Sequence, residues 1–167
     1  MTTNHKTLVI KNLQEKSILV SRVLNAPLDN VWRAYTESEY LDQWWGPAPW
    51  RAETKSIDFK PGGYWLYAMV GPEGERHWGR MNYITIKPHA YFEMEDVFCD
   101  ENGNINASLP VSKGRMVFTE TSEGTLVEFK MTYAMEEDVQ KIIDMGFEQG
   151  ITICLEQLQA LLDQNKI

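Results

Sequence analysis

The sequence predicts an α+β domain in which a curved, seven-stranded antiparallel sheet wraps around a long C-terminal helix, with two short helices after the first strand. Three observations predict it. From Trp50 to Tyr133 apolar and polar residues alternate with a period near two, and turn signals interrupt the pattern at short intervals. From Glu136 to about Gln164 the period becomes helical. Between the first β-rich run and this meander lie two short helical patterns that end at Gly46-Pro47.

Taken in order, residues 1–14 read as a short lead and residues 15–167 as one domain. "SILVSRVLNAP", from Ser17, is rich in β-branched residues and stops at Ala-Pro, so it reads as a strand. "LDNVWRAYT" places Val31, Trp32 and Tyr35 at helical spacing, with Asp29 near its start. "ESEYLDQWW" reads as a second short helix capped by Ser38. Six strand-like runs follow: "WRAETKSIDF", "YWLYAMV", "RHWGRMNYITI", "AYFEMEDVFC", "GRMVFTET" and "TLVEFKMTY". Turns at Pro61-Gly62-Gly63, Gly71-Pro72, Lys87-Pro88, Asn102-Gly103 and Gly124 make the whole an antiparallel meander. The last segment is read as one helix of roughly 40 Å, at 1.5 Å per residue. Its apolar stripe is Val139, Ile142, Ile143, Gly146, Ile153, Leu158, Leu161 and Leu162.

The chain has 167 residues, 43% of them hydrophobic and 11% aromatic, which is enough for a real core. Its net charge of −8, without a Lys/Arg cluster, disfavours nucleic acid and anionic membranes as partners. The charged start "MTTNHKTLVIKNLQEKS" holds no apolar run for a leader or a membrane span, so the expected location is the cytoplasm. Cys99 and Cys154 are then expected as reduced thiols. His5, His77, His89 and the cysteines lack ligand spacing, and glycine-rich nucleotide loops are absent, so no metal or cofactor is expected.

Several pieces together carry a family resemblance: "SRVLNAPLDNVWRAYTESEYLDQWWGP", "DFKPGGYW", "HWGRMNYITIKPH", "FCDENG" and "GFEQGITICLEQLQALL". In this order, and from Ser17 onwards, the chain resembles the START/SRPBCC superfamily. Within it, the chain is similar to the domain related to the activator of the ninety-kilodalton heat-shock protein's ATPase. The resemblance implies a helix-grip fold enclosing an apolar cavity. It leaves activity open, because lipid carriers, hormone receptors, polyketide cyclases and co-chaperone domains share the scaffold. The eukaryotic co-chaperone also carries a separate N-terminal domain, in whose place this sequence has the short lead.

The candidate site residues follow from parity and composition. "LDQWWGPAPW" crowds Trp44, Trp45 and Trp50 around a turn, where the rings either cap the core or line a cavity mouth. Five methionines fall in predicted strands (Met69, Met81, Met94, Met116 and Met131), either as core filling or as adaptable cavity lining. Trp45, Trp50, Trp65, Trp78, Met81, Phe92, Met94, Phe118, Met131, Phe147 and Ile151 are the expected apolar contributors to a cavity between sheet and helix. Asp96 lies between Met94 and Phe98 on an apolar face, and either points inward with a raised pKa or turns to solvent at a bulge. His77 and Tyr83 share a parity and are candidate hydrogen-bond or proton partners. Arg22 is read as a surface or sheet-edge cation.

The expected function is a non-catalytic binding domain, a monomer or homodimer, for a small apolar or amphipathic molecule, with lipid the broadest class. Two alternatives stand beside it. One is a cyclase- or dehydratase-type enzyme using Asp96 with His77 or Tyr83. The other is a chaperone-interacting, stress-response module.

Overall fold

The alternating runs form one open, fully antiparallel sheet. The computed structural model describes residues 5–167. Strands β1 (Leu8–Asn12) and β2 (Ser17–Leu24) are followed by helices α1 (Leu28–Thr36) and α2 (Ser38–Trp44). Then come β3 (Arg51–Ile57), β4 (Tyr64–Val70), β5 (Arg76–Lys87), β6 (Tyr91–Cys99), β7 (Ser112–Thr121) and β8 (Gly124–Tyr133). Two further helices, α3 (Glu136–Asp144) and α4 (Phe147–Asp163), end the chain. The spatial order is β1-β2-β8-β7-β6-β5-β4-β3, so the meander closes when β8 returns to pair with β2, Ser17 opposite Thr132. Among the described residues no helix is long and apolar enough to cross a membrane.

Three expectations need correction. The sheet has eight strands among the described residues, not seven, because Leu8–Asn12 pairs with β2. This edge strand is short, and its apolar Leu8 and Ile10 face outward, so its alternation carries no core signal. The C-terminal helix is broken as well. Gly146 takes a left-handed conformation (φ +87°), which ends α3 and starts α4, a position where a side chain is strained. The break resets the helical phase. Ile153, placed on the apolar stripe by a continuous count, is therefore exposed, while Cys154, Leu155 and Leu158 face the core. Ser38 is a helical residue and caps nothing; α2 begins after Glu37 without a side-chain cap.

α4 lies over the concave face of the sheet and packs against α1 and α2. The loop after α2 is fastened to it by one side chain. Gln157 donates from Nε2 to the carbonyls of Trp44 (3.0 Å) and Gly46 (2.8 Å). Its Oε1 accepts the Ala48 amide at 2.9 Å. Next to it, the Gly46 amide points at the Cys154 sulfur, 3.3 Å away. On the other flank Asp42 accepts from the Thr54 hydroxyl (2.6 Å) and amide, docking α2 on β3 beside its bulge. The tryptophan loop is irregular, yet its backbone N–H groups are matched, as a partly buried loop requires.

Three hydrogen bonds on one half-buried amide predict that Gln157→Ala lowers unfolding stability by about 2 kcal/mol. Gln157→Glu is expected to cost at least as much, since a carboxylate facing two carbonyls repels where the amide donates. Urea unfolding of both variants checks this.

Candidate functional site

The apolar residues of the sheet's concave face fall into two groups. Towards α1, Trp32, Phe59, Tyr83, Phe92 and Phe118 interlock, mostly edge to face, with those centroids 4.7 to 5.9 Å apart. That end is solid. Towards α3 and the start of α4 the layers do not meet fully and leave a cavity of about 230 Å³.

Its walls come from five strands, two helices and two loops. The strands supply Tyr67 and Met69 (β4), Gly79 (β5), Asp96, Val97 and Phe98 (β6), Ser112 (β7), and Met131 and Tyr133 (β8). Ile142 of α3 and Phe147, Gly150, Ile151 and Cys154 of α4 face them. Trp45, Gly46 and Pro47 of the tryptophan loop, with Pro110, complete the lining. Gly79 is required by close approach: a Cβ there would stand 2.9 Å from the Tyr67 ring, which lies across the strand. Trp45 is the central ring of this end, with Trp44, Trp65 and Tyr67 at centroid distances of 5.3, 5.5 and 6.4 Å.

The wall is apolar except at a few points. Asp96 faces the cavity, and its carboxyl has no hydrogen-bond or ion-pair partner among the described residues. Burial alone raises its pKa to about 7. Burial likewise pushes the Tyr67 and Tyr133 phenols well above their ordinary value, and the nearby Asp96 adds to both shifts. Burial raises the Cys154 thiol to about 11, so it stays protonated. The arrangement is thus a small, largely apolar chamber. Its one carboxyl changes charge near neutrality and can accept or donate a hydrogen bond.

Five predicted residues come together here: Trp45, Asp96, Met131, Phe147 and Ile151. The others do not line this cavity. Trp65, Met81, Tyr83, Phe92, Met94 and Phe118 are buried in the solid part of the core, because inward parity fixes the face of a strand and not the position along it. Trp50 lies against His77 (5.5 Å), whose strand end is exposed, so His77 has no access to the chamber. Trp78 has the opposite parity and lies under Lys55 Nζ, 5.7 Å from its ring. The three tryptophans of the decamer therefore part company: Trp44 is in the core with its indole N–H on the Ala34 carbonyl (2.9 Å), Trp45 is in the cavity wall, and Trp50 is near the surface. The sequence reading missed Tyr67, Met69, Phe98, Tyr133, Ile142 and Cys154. Tyr67, Met69, Phe98 and Tyr133 share parity with residues already chosen, which was the available signal.

Arg22 also needs correction. It sits on the inward row of β2 with Ile18, Val20 and Leu24, and is 2% exposed rather than at the surface. Its Nη1 donates to Glu156 (2.7 Å) and Thr7 (3.2 Å).

The family described as "Activator of Hsp90 ATPase homolog 1-like protein" matches residues 25–163. A protein of Mycobacterium smegmatis, known as a crystal structure, is 33% identical with a TM-score of 0.86, over 93% of this chain and 96% of that one. A solution structure from Arthrobacter aurescens is 29% identical with a TM-score of 0.88, over 94% and 91% of the two chains. A Staphylococcus epidermidis protein is 28% identical with a TM-score of 0.81, over 94% and 95%. Among curated proteins none matches.

Asp96 makes stability depend on pH in a definite direction. Its folded pKa of about 7 lies above the ordinary 3.8, so the folded state binds the proton more tightly. The stabilisation is complete below pH 3.8 and is lost as pH rises through about 7. Asp96→Asn is therefore expected to be more stable than the parent at pH 8 by about 2–4 kcal/mol, with the difference shrinking towards pH 4. Urea unfolding of both proteins at pH 4, 6 and 8 measures it.

Proposed function

This chain belongs to the family of Activator of Hsp90 ATPase homolog 1-like proteins, and on that footing we propose that it is a non-catalytic binding domain for one small apolar or amphipathic molecule, held between sheet and α4. The observation that carries the reading is Asp96: a carboxyl without a protein partner, facing an otherwise apolar chamber in which Trp45 presents an aromatic face. A solid core has no use for such a group, whereas a ligand site uses one polar group to fix orientation.

Size narrows the class. A chamber of about 230 Å³ suits a small ligand, and medium-chain and single-ring compounds are the class it favours. Apolar contact supplies about 25 cal/mol per Å² of surface covered, before the cost of association.

Asp96 also favours a second reading, acid–base chemistry of the cyclase or dehydratase type, since a carboxyl titrating near neutrality is suited to moving a proton. His77, at its exposed strand end, takes no part in that reading. A reaction abolished by Asp96→Asn while ligand still binds would favour it over simple binding. A contact with a chaperone ATPase, the role that the family's description carries, would use the outer surface. Pull-down with that chaperone tests it separately from cavity occupancy.

Native mass spectrometry of protein purified without added ligand is expected to reveal an adduct of about 100–200 Da, the mass of such a molecule. Titrating medium-chain acids, alcohols and phenols is expected to change tryptophan emission, and Ile151→Trp, which fills the chamber, to abolish that response. No adduct and no response from any compound would sink the reading.

A further inference from the structure

We propose that the inner end of this ligand site is a carboxylate-binding subsite built on Arg22, so that the natural ligand is a small carboxylic acid. This rests on the binding reading above and names its ligand class.

Arg22 is buried, and two of its guanidinium nitrogens, Nε and Nη2, have no hydrogen-bond partner among the described residues. Only Nη1 is engaged, by Glu156 and Thr7. Nε and Nη2 form one edge of the guanidinium fork, an edge that receives a carboxylate through two parallel hydrogen bonds. Leaving buried, charged donors unmatched is costly, so the fold carries a standing demand for an anionic acceptor at this point.

Arg22 also lines a crevice of about 10 Å³ whose other walls are mostly apolar, among them Tyr35, Met116 and Phe129. That is room for about one water, the occupant expected before ligand arrives. Trp45 and Ile151 line both this crevice and the large chamber, so they are the partition between the two spaces. A shift of the Trp45 ring joins them. An acid entering the chamber then places its carboxylate on Arg22 and its hydrocarbon part against Met131 and Phe147. Glu156 is 55% exposed at its side chain, so it can turn to water as the ligand's charge arrives.

The test compares octanoate with 1-octanol, which share a chain and differ in the head group. Tryptophan fluorescence is expected to give octanoate an affinity roughly 10- to 100-fold higher, the range for hydrogen bonds to a charged group. The Arg22 Nε–H proton resonance should move downfield with octanoate and stay put with octanol. Arg22→Met, which releases Glu156 and Thr7 from Nη1, should erase the preference while octanol still binds. Glu156→Gln, at the surface, removes the competing carboxylate and should tighten octanoate severalfold without affecting octanol; it serves if Arg22→Met fails to fold. Equal affinity of acid and alcohol in the parent, or a preference that survives in Arg22→Met, overturns the subsite and leaves the chamber reading standing. Failure of both probes to bind overturns the chamber reading and the subsite with it.

Discussion

The fastening of the tryptophan loop to α4 through Gln157 is the constraint on which the rest of this structure depends. The loop contributes a core ring, a cavity wall and a turn within a few residues, and none of these has a fixed place unless the backbone between them is held. Gln157 holds it at Trp44, Gly46 and Ala48 together. The consequence runs outward in both directions. Trp44 is drawn into the core beside Tyr35, and Trp45 is turned to face Trp65 and Tyr67. Beside this fastening the loop approaches α4 closely at Gly46, Pro47 and Gly150.

A chamber of this kind sits uneasily in a protein of this size. An empty apolar volume forfeits dispersion contacts, and unmatched polar groups in its surroundings forfeit hydration. Arg22, Asp96 and Tyr83 all carry polar atoms without protein partners, and all three are on the concave side of the sheet. Only Asp96 has a way out, since it can give up its charge. The aromatic cluster at the α1 end compensates with dense edge-to-face packing, which lets the other end stay loose. Stability and binding thus occupy opposite ends of one groove.

The order of elements was legible from periodicity because each run buries one face, and burial of one face is what writes a period into a sequence. Strands β2 to β8 and the helices follow from it directly. Two features left no such trace: β1, whose apolar residues face outward, and the interruption at Gly146, where a single backbone angle outweighs a continuous apolar stripe. The site was legible by face and not by depth. Asp96 and Met131 were found because they lie on inward rows, and so do Met94 and Phe92, which the same argument chose and the fold buried in solid packing. Arg22 shows the limit most clearly. Its row was apolar on both sides, yet a lone cation in a strand reads as solvated until the helix that covers it is in place.

The pairing of β2 with β8 has a consequence in time. These strands are joined in register across more than a hundred residues of chain, Ser17 against Thr132, while β3 to β8 each pair with a neighbour in sequence. Loop-closure entropy makes such a pair slow to form, and a chain emerging from the ribosome cannot form it until β8 has left the exit tunnel. Strand β2, paired until then only with β1, must therefore keep its other edge open for most of the protein's synthesis. Arg22 belongs to that waiting strand, and its partner Glu156 comes later still, so the guanidinium leaves water only in the closing step of assembly.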